Sequence, residues 1–247
     1  MATFAVILPA AGRSTRFSNS QRKKPFVDLK GRAIWLRAAE PFLNRDDVVQ
    51  TLVVVAADEL QWFKEKFLPN LAFMEVEVVA GGAERADSVR NALQHVGEDV
   101  DFVAVHDAAR PLLVNEWINR VFAAAEVSGA AIPAVPVSST LKQVGNEQTI
   151  EHTVPRDQLW AAQTPQVFRR ELLIEAYAQA GNISATDEAQ LVEQLGHPVT
   201  VVEGWPMNFK ITTFADFKMA EAVVGALPKP KTFRGLHPFA DEEPRRL

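Results

Sequence analysis

Five short apolar runs, none with polar alternation, are separated by segments that carry apolar residues at helical spacing. That alternation constrains the fold more than any other feature of the chain. The runs cover residues 5–8, 51–56, 76–79, 102–105 and 130–135 and are rich in Val, Ile and Ala, as expected of strands covered on both faces. Between them, residues 34–43, 59–67, 84–96 and 116–127 repeat apolar positions with a helical period. Repeated strand–helix–strand order predicts a doubly wound, mostly parallel, Rossmann-like α/β sheet with right-handed crossovers.

Residues 137–156 break the rhythm. VSSTLKQVGNEQTIEHTVPR alternates β-branched and polar residues around Gly145-Asn146, which predicts a hairpin arm protruding from the sheet. A lone hairpin is marginal in water, so a second copy of the chain is expected to cover it, making a homodimer. With 247 residues, 47% of them hydrophobic, there is enough apolar material for one sizeable domain, placed at residues 1–227. The Pro- and charge-rich stretch 228–247 reads as a tail. A net charge of −5 excludes a general nucleic-acid binder, which spreads positive charge over a face. The absence of cysteine excludes disulfides, thiolate nucleophiles and zinc–sulfur sites and suits a reducing cytoplasm. No apolar run reaches the ~18 residues that a membrane span needs, and the first twelve residues lack a leader pattern. A cytoplasmic protein without membrane contact is expected.

Chemistry is expected where the strands end, because open α/β sheets bind ligands at the carboxyl ends of their strands. After the first strand, Pro9-Ala10-Ala11-Gly12-Arg13-Ser14-Thr15-Arg16 is followed by Arg22-Lys23-Lys24-Pro25. Small residues let backbone N–H groups approach phosphates while Arg and Lys neutralise charge. That makes a triphosphate cradle, although neither GxxxxGK[ST] nor GxGxxG is present, and a solvated basic loop is the plain alternative. Gly81-Gly82, directly before a helix that carries Ser88, frees main-chain groups for a base or phosphate. Glu84 beside them suits the positive end of that helix. After the fourth run come His106, Asp107, Arg110 and Pro111. His106 reads as a hydrogen-bonded structural group. Asp107 and Arg110 can hold a polyol hydroxyl and a phosphate, with an internal Asp–Arg pair as the alternative.

Together these segments give the chain a resemblance to the 2-C-methyl-D-erythritol 4-phosphate cytidylyltransferases of non-mevalonate isoprenoid synthesis, over residues 4–224. Besides PAAG…R, GGAERADSV and HDAARP, it rests on Thr140, TVPRDQLW at 153–160, QTPQVF at 163–168, TDEA at 186–189 and NFKIT at 208–212. The resemblance implies a nucleotidyltransferase fold and transfer of a cytidylyl group from CTP to methylerythritol phosphate, with Mg²⁺ carried on the triphosphate and pyrophosphate released. Arg16 and Lys24 would then stabilise the transition state. Arg156 and Lys210 would position methylerythritol phosphate, with Asp107, Arg110 and Thr140 in contact with it. Cytosine would be read by Gly81, Gly82 and Ser88 with backbone from Ala10 and Ala11, beside Gly12. Thr140 and Arg156 would reach a neighbouring subunit, so that active sites are shared across the dimer. The chain departs from the family's usual pattern at Ser14, at Ala83 in place of Asp, at Phe209, and at Lys23-Lys24-Pro25. There Lys24 matches by its spacing to Phe26 and Leu29, and Lys23 stands beside it as the alternative. A cytidylyltransferase for another polyol phosphate, such as ribitol 5-phosphate, and a non-catalytic nucleotide-binding module are the rival readings.

Overall fold

The computed structural model describes residues 1–12, 17, 23–181 and 185–228. Strand β1 (Phe4–Pro9) comes first; a 3-10 turn at Lys24–Phe26 and a small hairpin of β2 (Asp28–Leu29) and β3 (Arg32–Ala33) then lead into α1 (Ile34–Leu43). The alternation continues through β4 (Val48–Val55), α2 (Leu60–Met74), β5 (Glu77–Ala80), α3 (Arg85–Leu93), β6 (Phe102–Val105), α4 (Asn115–Ser128) and β7 (Ala130–Pro136). Helix α2 runs past the expected 59–67 and ends where Glu75 turns left-handed at φ 52°. Helix α3 stops short of the expected residue 96.

The main sheet has the order β5-β4-β1-β6, and these four strands are parallel. Strand β1 shows why both faces are buried: Phe4, Val6 and Leu8 enter a core with α1, α2 and α4, while Ala5 and Ile7 enter another on the opposite face with α3. The rest of the chain builds the other half. Strands β8 (Leu141–Val144) and β9 (Ile150–Val154) form a separate antiparallel hairpin where the arm was expected. Strands β10 (Trp160–Ala162) and β11 (Gln166–Arg169) follow, then α5 (Arg170–Gln179), α6 (Glu188–Gln194), β12 (Thr200–Glu203) and α7 (Phe214–Val223). Strand β11 lies antiparallel between β6 and β7, and β12 pairs parallel with β7. The mostly parallel sheet thus carries an antiparallel insert beside the strand that delivers Asp107. Of the expected tail only Pro228 is described.

Candidate active site

A cavity of about 880 Å³ opens at the carboxyl ends of β1, β4, β5 and β6. It lies over the junction of β1 and β6, where the strand order changes direction, as the rule for doubly wound sheets requires. Its floor is the small-residue loop Ala10-Ala11-Gly12 and the turn Gly81-Gly82. Two N–H groups hold these loops to the sheet: Ala10 donates to the Val54 carbonyl at 2.8 Å and Gly81 to the Val55 carbonyl at 2.7 Å. Among the described residues, the N–H groups of Ala11 and Gly12 make no hydrogen bond. The glycines are dictated by close approach. A Cβ at Gly81 would stand 2.8 Å from Ala11 Cβ, and one at Gly82 would stand 2.4 Å from Asp87 Cβ. Ser88 is buried and locks the turn, accepting from Gly82 N–H at 3.1 Å and donating to the Glu84 carbonyl at 3.0 Å. Glu84 itself is the N-cap of α3, its N–H bonded to Asp87 Oδ2 at 3.2 Å, the structural role expected of it.

Lys23, Lys24 and Lys210 supply cations to the wall. Lys23 Nζ is paired with Glu59 at 2.8 Å. Lys24 lies close enough to Asp216 for its charge to act there. Burial opposes ionisation of the Asp216 carboxyl, but hydrogen bonds from Thr213 and Thr212, and then the charge of Lys24, hold it below its ordinary value. Lys210 Nζ lies 3.0 Å from Asp107 Oδ2. Its neighbours fix it there: Asn208 is buried with Nδ2 on the Thr164 carbonyl at 2.8 Å, and Ile211 N–H donates to the Ala109 carbonyl at 2.9 Å. Phe209 packs against the small core around Leu112, Ile211 and Phe217.

Asp107 is the electrostatic centre. Its carboxylate faces Lys210 at 3.0 Å, Arg110 Nε at 3.3 Å and Arg85 Nε at 3.7 Å. Burial works against its ionisation, but the fields of Lys210, Arg85 and Arg110 outweigh that and hold it well below the usual carboxylate range. His106 beneath it is fully buried. Its Nε2 sits 3.1 Å from the Arg110 carbonyl and its Nδ1 3.0 Å from Thr164 Oγ1. A carbonyl only accepts, so Nε2 carries the proton and Nδ1 accepts from the threonine. Burial pushes the imidazole down to about 4, and the ring is a neutral structural group. The Arg110 guanidinium is turned inward, with Nη1 donating to the Asn208 carbonyl at 2.7 Å. The internal Asp107–Arg110 pair is therefore formed, and Arg110 is not on the cavity wall.

Thr140 and Arg156 are exposed on the arm and do not line their own chain's cavity; Arg156 Nη1 donates to the Ser138 carbonyl. Arg16 and Ser14 lie outside the described residues. Sequence reasoning missed Arg85 and Glu188. Arg85 lines the cavity, and its two terminal nitrogens grip the buried Glu188 carboxylate at 2.7 and 2.8 Å. A surface-like Glu-Arg-Ala-Asp helix start gives no sign of a partner 103 residues away. It also missed the clamp made by QTPQ. Gln163 and Thr164 tie the Asp107 and Asn208 segments to the sheet, and Gln166 ties down the turn that carries Glu188.

Residues 4–226 match the family model for IspD, 2-C-methyl-D-erythritol 4-phosphate cytidylyltransferase. The cytidylyltransferase of that name from Frankia casuarinae is 45% identical over 222 residues, covering 89% of this chain and 80% of the relative. The one from Symbiobacterium thermophilum is 41% identical over 223 residues, covering 89% and 92%. Among solved structures, the 2-C-methyl-D-erythritol 4-phosphate cytidylyltransferase of Thermus thermophilus superposes with a TM-score of 0.73 at 34% identity, covering 91% of this chain and 100% of that one.

Proposed function

Since the chain belongs to the 2-C-methyl-D-erythritol 4-phosphate cytidylyltransferase family, we propose that the cavity above β1 and β6 is the place where it joins CTP to its polyol phosphate. The enzyme transfers a cytidylyl group from CTP to 2-C-methyl-D-erythritol 4-phosphate and so feeds isoprenoid precursor synthesis. The observation that carries the assignment is the meeting of Ala10–Gly12, Gly81, Gly82 and Ser88 with Lys24, Asp107 and Lys210 around one cavity.

The substrate phosphate oxygen attacks the α-phosphorus in line, the bond to the pyrophosphate oxygen breaks, and pyrophosphate leaves with the electron pair. No covalent enzyme intermediate is needed. Charge builds on the α-phosphate and the leaving group, so positioned cations carry the catalysis. In this reading Lys24 stabilises that charge, the role the family resemblance also gives to Arg16, and the N–H groups of Ala11 and Gly12 meet the phosphates. Carbonyl oxygens of the Ala10 and Gly81 loops accept from the cytosine amino group, because the N–H groups of Ala10, Gly81 and Gly82 are already bonded. Lys210 holds the methylerythritol phosphate, Asp107 takes a polyol hydroxyl, and Arg110 keeps the Asp107 carboxylate ionised and in place. Mg²⁺ carried on the triphosphate would supply positive charge to the phosphates. It keeps several waters and binds through phosphates more readily than through protein cages, and among the described residues no group of three His, Asp or Glu comes together to hold it.

Thr140 and Arg156 act in this reading on the neighbouring subunit's substrate, in a homodimer built by the arm. The arm's exposed apolar residues support it: Val144 is 49% and Ile150 62% exposed, on a two-stranded hairpin that is marginal without a partner surface. A cytoplasmic location suits the cysteine-free sequence, and among the described residues no helix is long and apolar enough to cross a membrane.

Pyrophosphate release with CTP or UTP, and with methylerythritol phosphate or ribitol 5-phosphate, tests the assignment. CTP and methylerythritol phosphate together should give the highest kcat/KM. UTP lacks the amino donor and leaves acceptors unpaired, so a loss of about a hundredfold or more is expected. Equal use of UTP would overturn the base assignment, preference for ribitol 5-phosphate would move the substrate, and absence of turnover would leave a binding module.

A further inference from the structure

Arg85 lies between two carboxylates, and the structure gives it to the buried one. Its Nη1 and Nη2 are bonded to Glu188 at 2.7 and 2.8 Å, whereas its Nε is 3.7 Å from Asp107 Oδ1, beyond hydrogen-bond reach. Glu188 is 1% exposed, and both its carboxylate and its backbone are held. Tyr177 donates its hydroxyl to Oε1 at 2.9 Å, and the N–H groups of Glu188 and Ala189 both donate to Gln166 Oε1, at 3.1 and 3.0 Å. The side-chain amide of Gln166 in turn donates to Asp187 Oδ2 at 2.8 Å. Glu188 therefore cannot follow Arg85 if the guanidinium moves.

The two oxygens of Asp107 are used unequally. Oδ2 takes Lys210 and Arg110, while Oδ1 accepts no hydrogen bond among the described residues. An unrestrained arginine at this distance would close a bidentate fork on Asp107 and occupy Oδ1. We propose that Glu188 is a positioning residue: by holding both terminal nitrogens of Arg85 it keeps the guanidinium off Asp107, so that Oδ1 stays open to a hydroxyl of the polyol substrate. The inference rests on the reading of Asp107 as the polyol acceptor. It also explains a buried ion pair that is poor evidence for stability by itself, since its geometry leaves one acceptor in the cavity available.

The test is a set of variants of the full-length enzyme, read as KM for methylerythritol phosphate, kcat, and CTP affinity by calorimetry. Glu188→Gln removes the charge and one acceptor of the fork, and Arg85 then turns to Asp107. KM for methylerythritol phosphate should rise about tenfold, the loss of one good hydrogen bond, with CTP affinity unchanged. Removing the freed arginine as well, in Arg85→Gln/Glu188→Gln, should bring KM back to within about threefold of the parent. A double variant no better than Glu188→Gln alone, or a parallel loss of CTP affinity, would overturn the proposal. Asp107→Asn separates the two layers. If it leaves KM for methylerythritol phosphate unchanged, the reading of Asp107 fails; if it raises KM while Glu188→Gln does not, only the role of Glu188 fails. Should Glu188→Gln not fold, Tyr177→Phe loosens Oε1 alone. A twofold to threefold rise in the same KM supports the proposal, and no change counts against it.

Discussion

Lys23 and Lys24 are adjacent in sequence but differ in what they face. Lys23 is paired with Glu59 at 2.8 Å, which partners its charge. Lys24 begins the 3-10 turn, beside the cavity and near the start of α7. Lys24→Ala should therefore lower kcat by about a hundredfold, the ~3 kcal/mol expected for one transition-state contact, with little change in CTP binding. Lys23→Ala should stay within about threefold of the parent in steady-state kinetics; the reverse order would move the catalytic role by one residue. His106 gives a prediction of a different kind. Burial lowers its folded-state value to about 4, below the ~6.5 of an unfolded chain. Between those values the unfolded state binds more protons, so stability rises with pH there. The contribution is fully present above about 6.5 and is lost as pH falls toward 4, ~3 kcal/mol in all. Urea midpoints should fall across that window, and His106→Gln, which cannot titrate, should flatten the fall. An unchanged slope would place the acid sensitivity elsewhere.

The turn between β5 and α3 lines the cavity with Gly81 and Gly82, so in the proposed reading nucleotide binding depends on this element most. A Cβ at Gly82 meets Asp87 in the first turn of α3, with no flexible side-chain end to move aside. Gly82→Ala should cost ~1–3 kcal/mol of stability through overpacking and weaken CTP binding more than a substitution at Gly12, where a Cβ meets nothing within 4 Å. Calorimetric titration with CTP on both variants measures the difference. Elements of this half were largely legible in sequence. Strands buried on both faces read as unbroken apolar runs, and α1 lies at the expected 34–43. Strand β11 was not legible as an antiparallel insert, since Gln-Val-Phe between two buried strands carries the same apolar signal in either direction. The site was readable where a loop concentrates unusual residues, as at Gly81-Gly82 and His106–Arg110. It was unreadable where partners meet across long separations, as Arg85 does with Glu188. An ion pair leaves no local pattern in either segment.

At the scale of the whole molecule, Arg156 and Lys24 belong to one chain but not to one cavity. The cavity is walled by Lys24, Asp107 and Lys210, while Arg156 sits at the base of an exposed arm bonded to Ser138. If the arm completes the neighbouring subunit's site, Lys24→Ala and Arg156→Ala should each be nearly inactive alone, because every site in either homodimer lacks one essential cation. Mixed after dissociation, the two variants form heterodimers in which one site carries both defects and the other carries neither. Random reassortment makes about half of the dimers mixed, and each has one intact site of two, so activity should recover to about a quarter of the parent's. The recovery depends on geometry alone, since neither chain regains its missing side chain. If verified exchange of subunits restores nothing, Arg156 serves its own chain's site and the arm must fold back. Sedimentation of the parent as a monomer at working concentration would remove the shared site altogether.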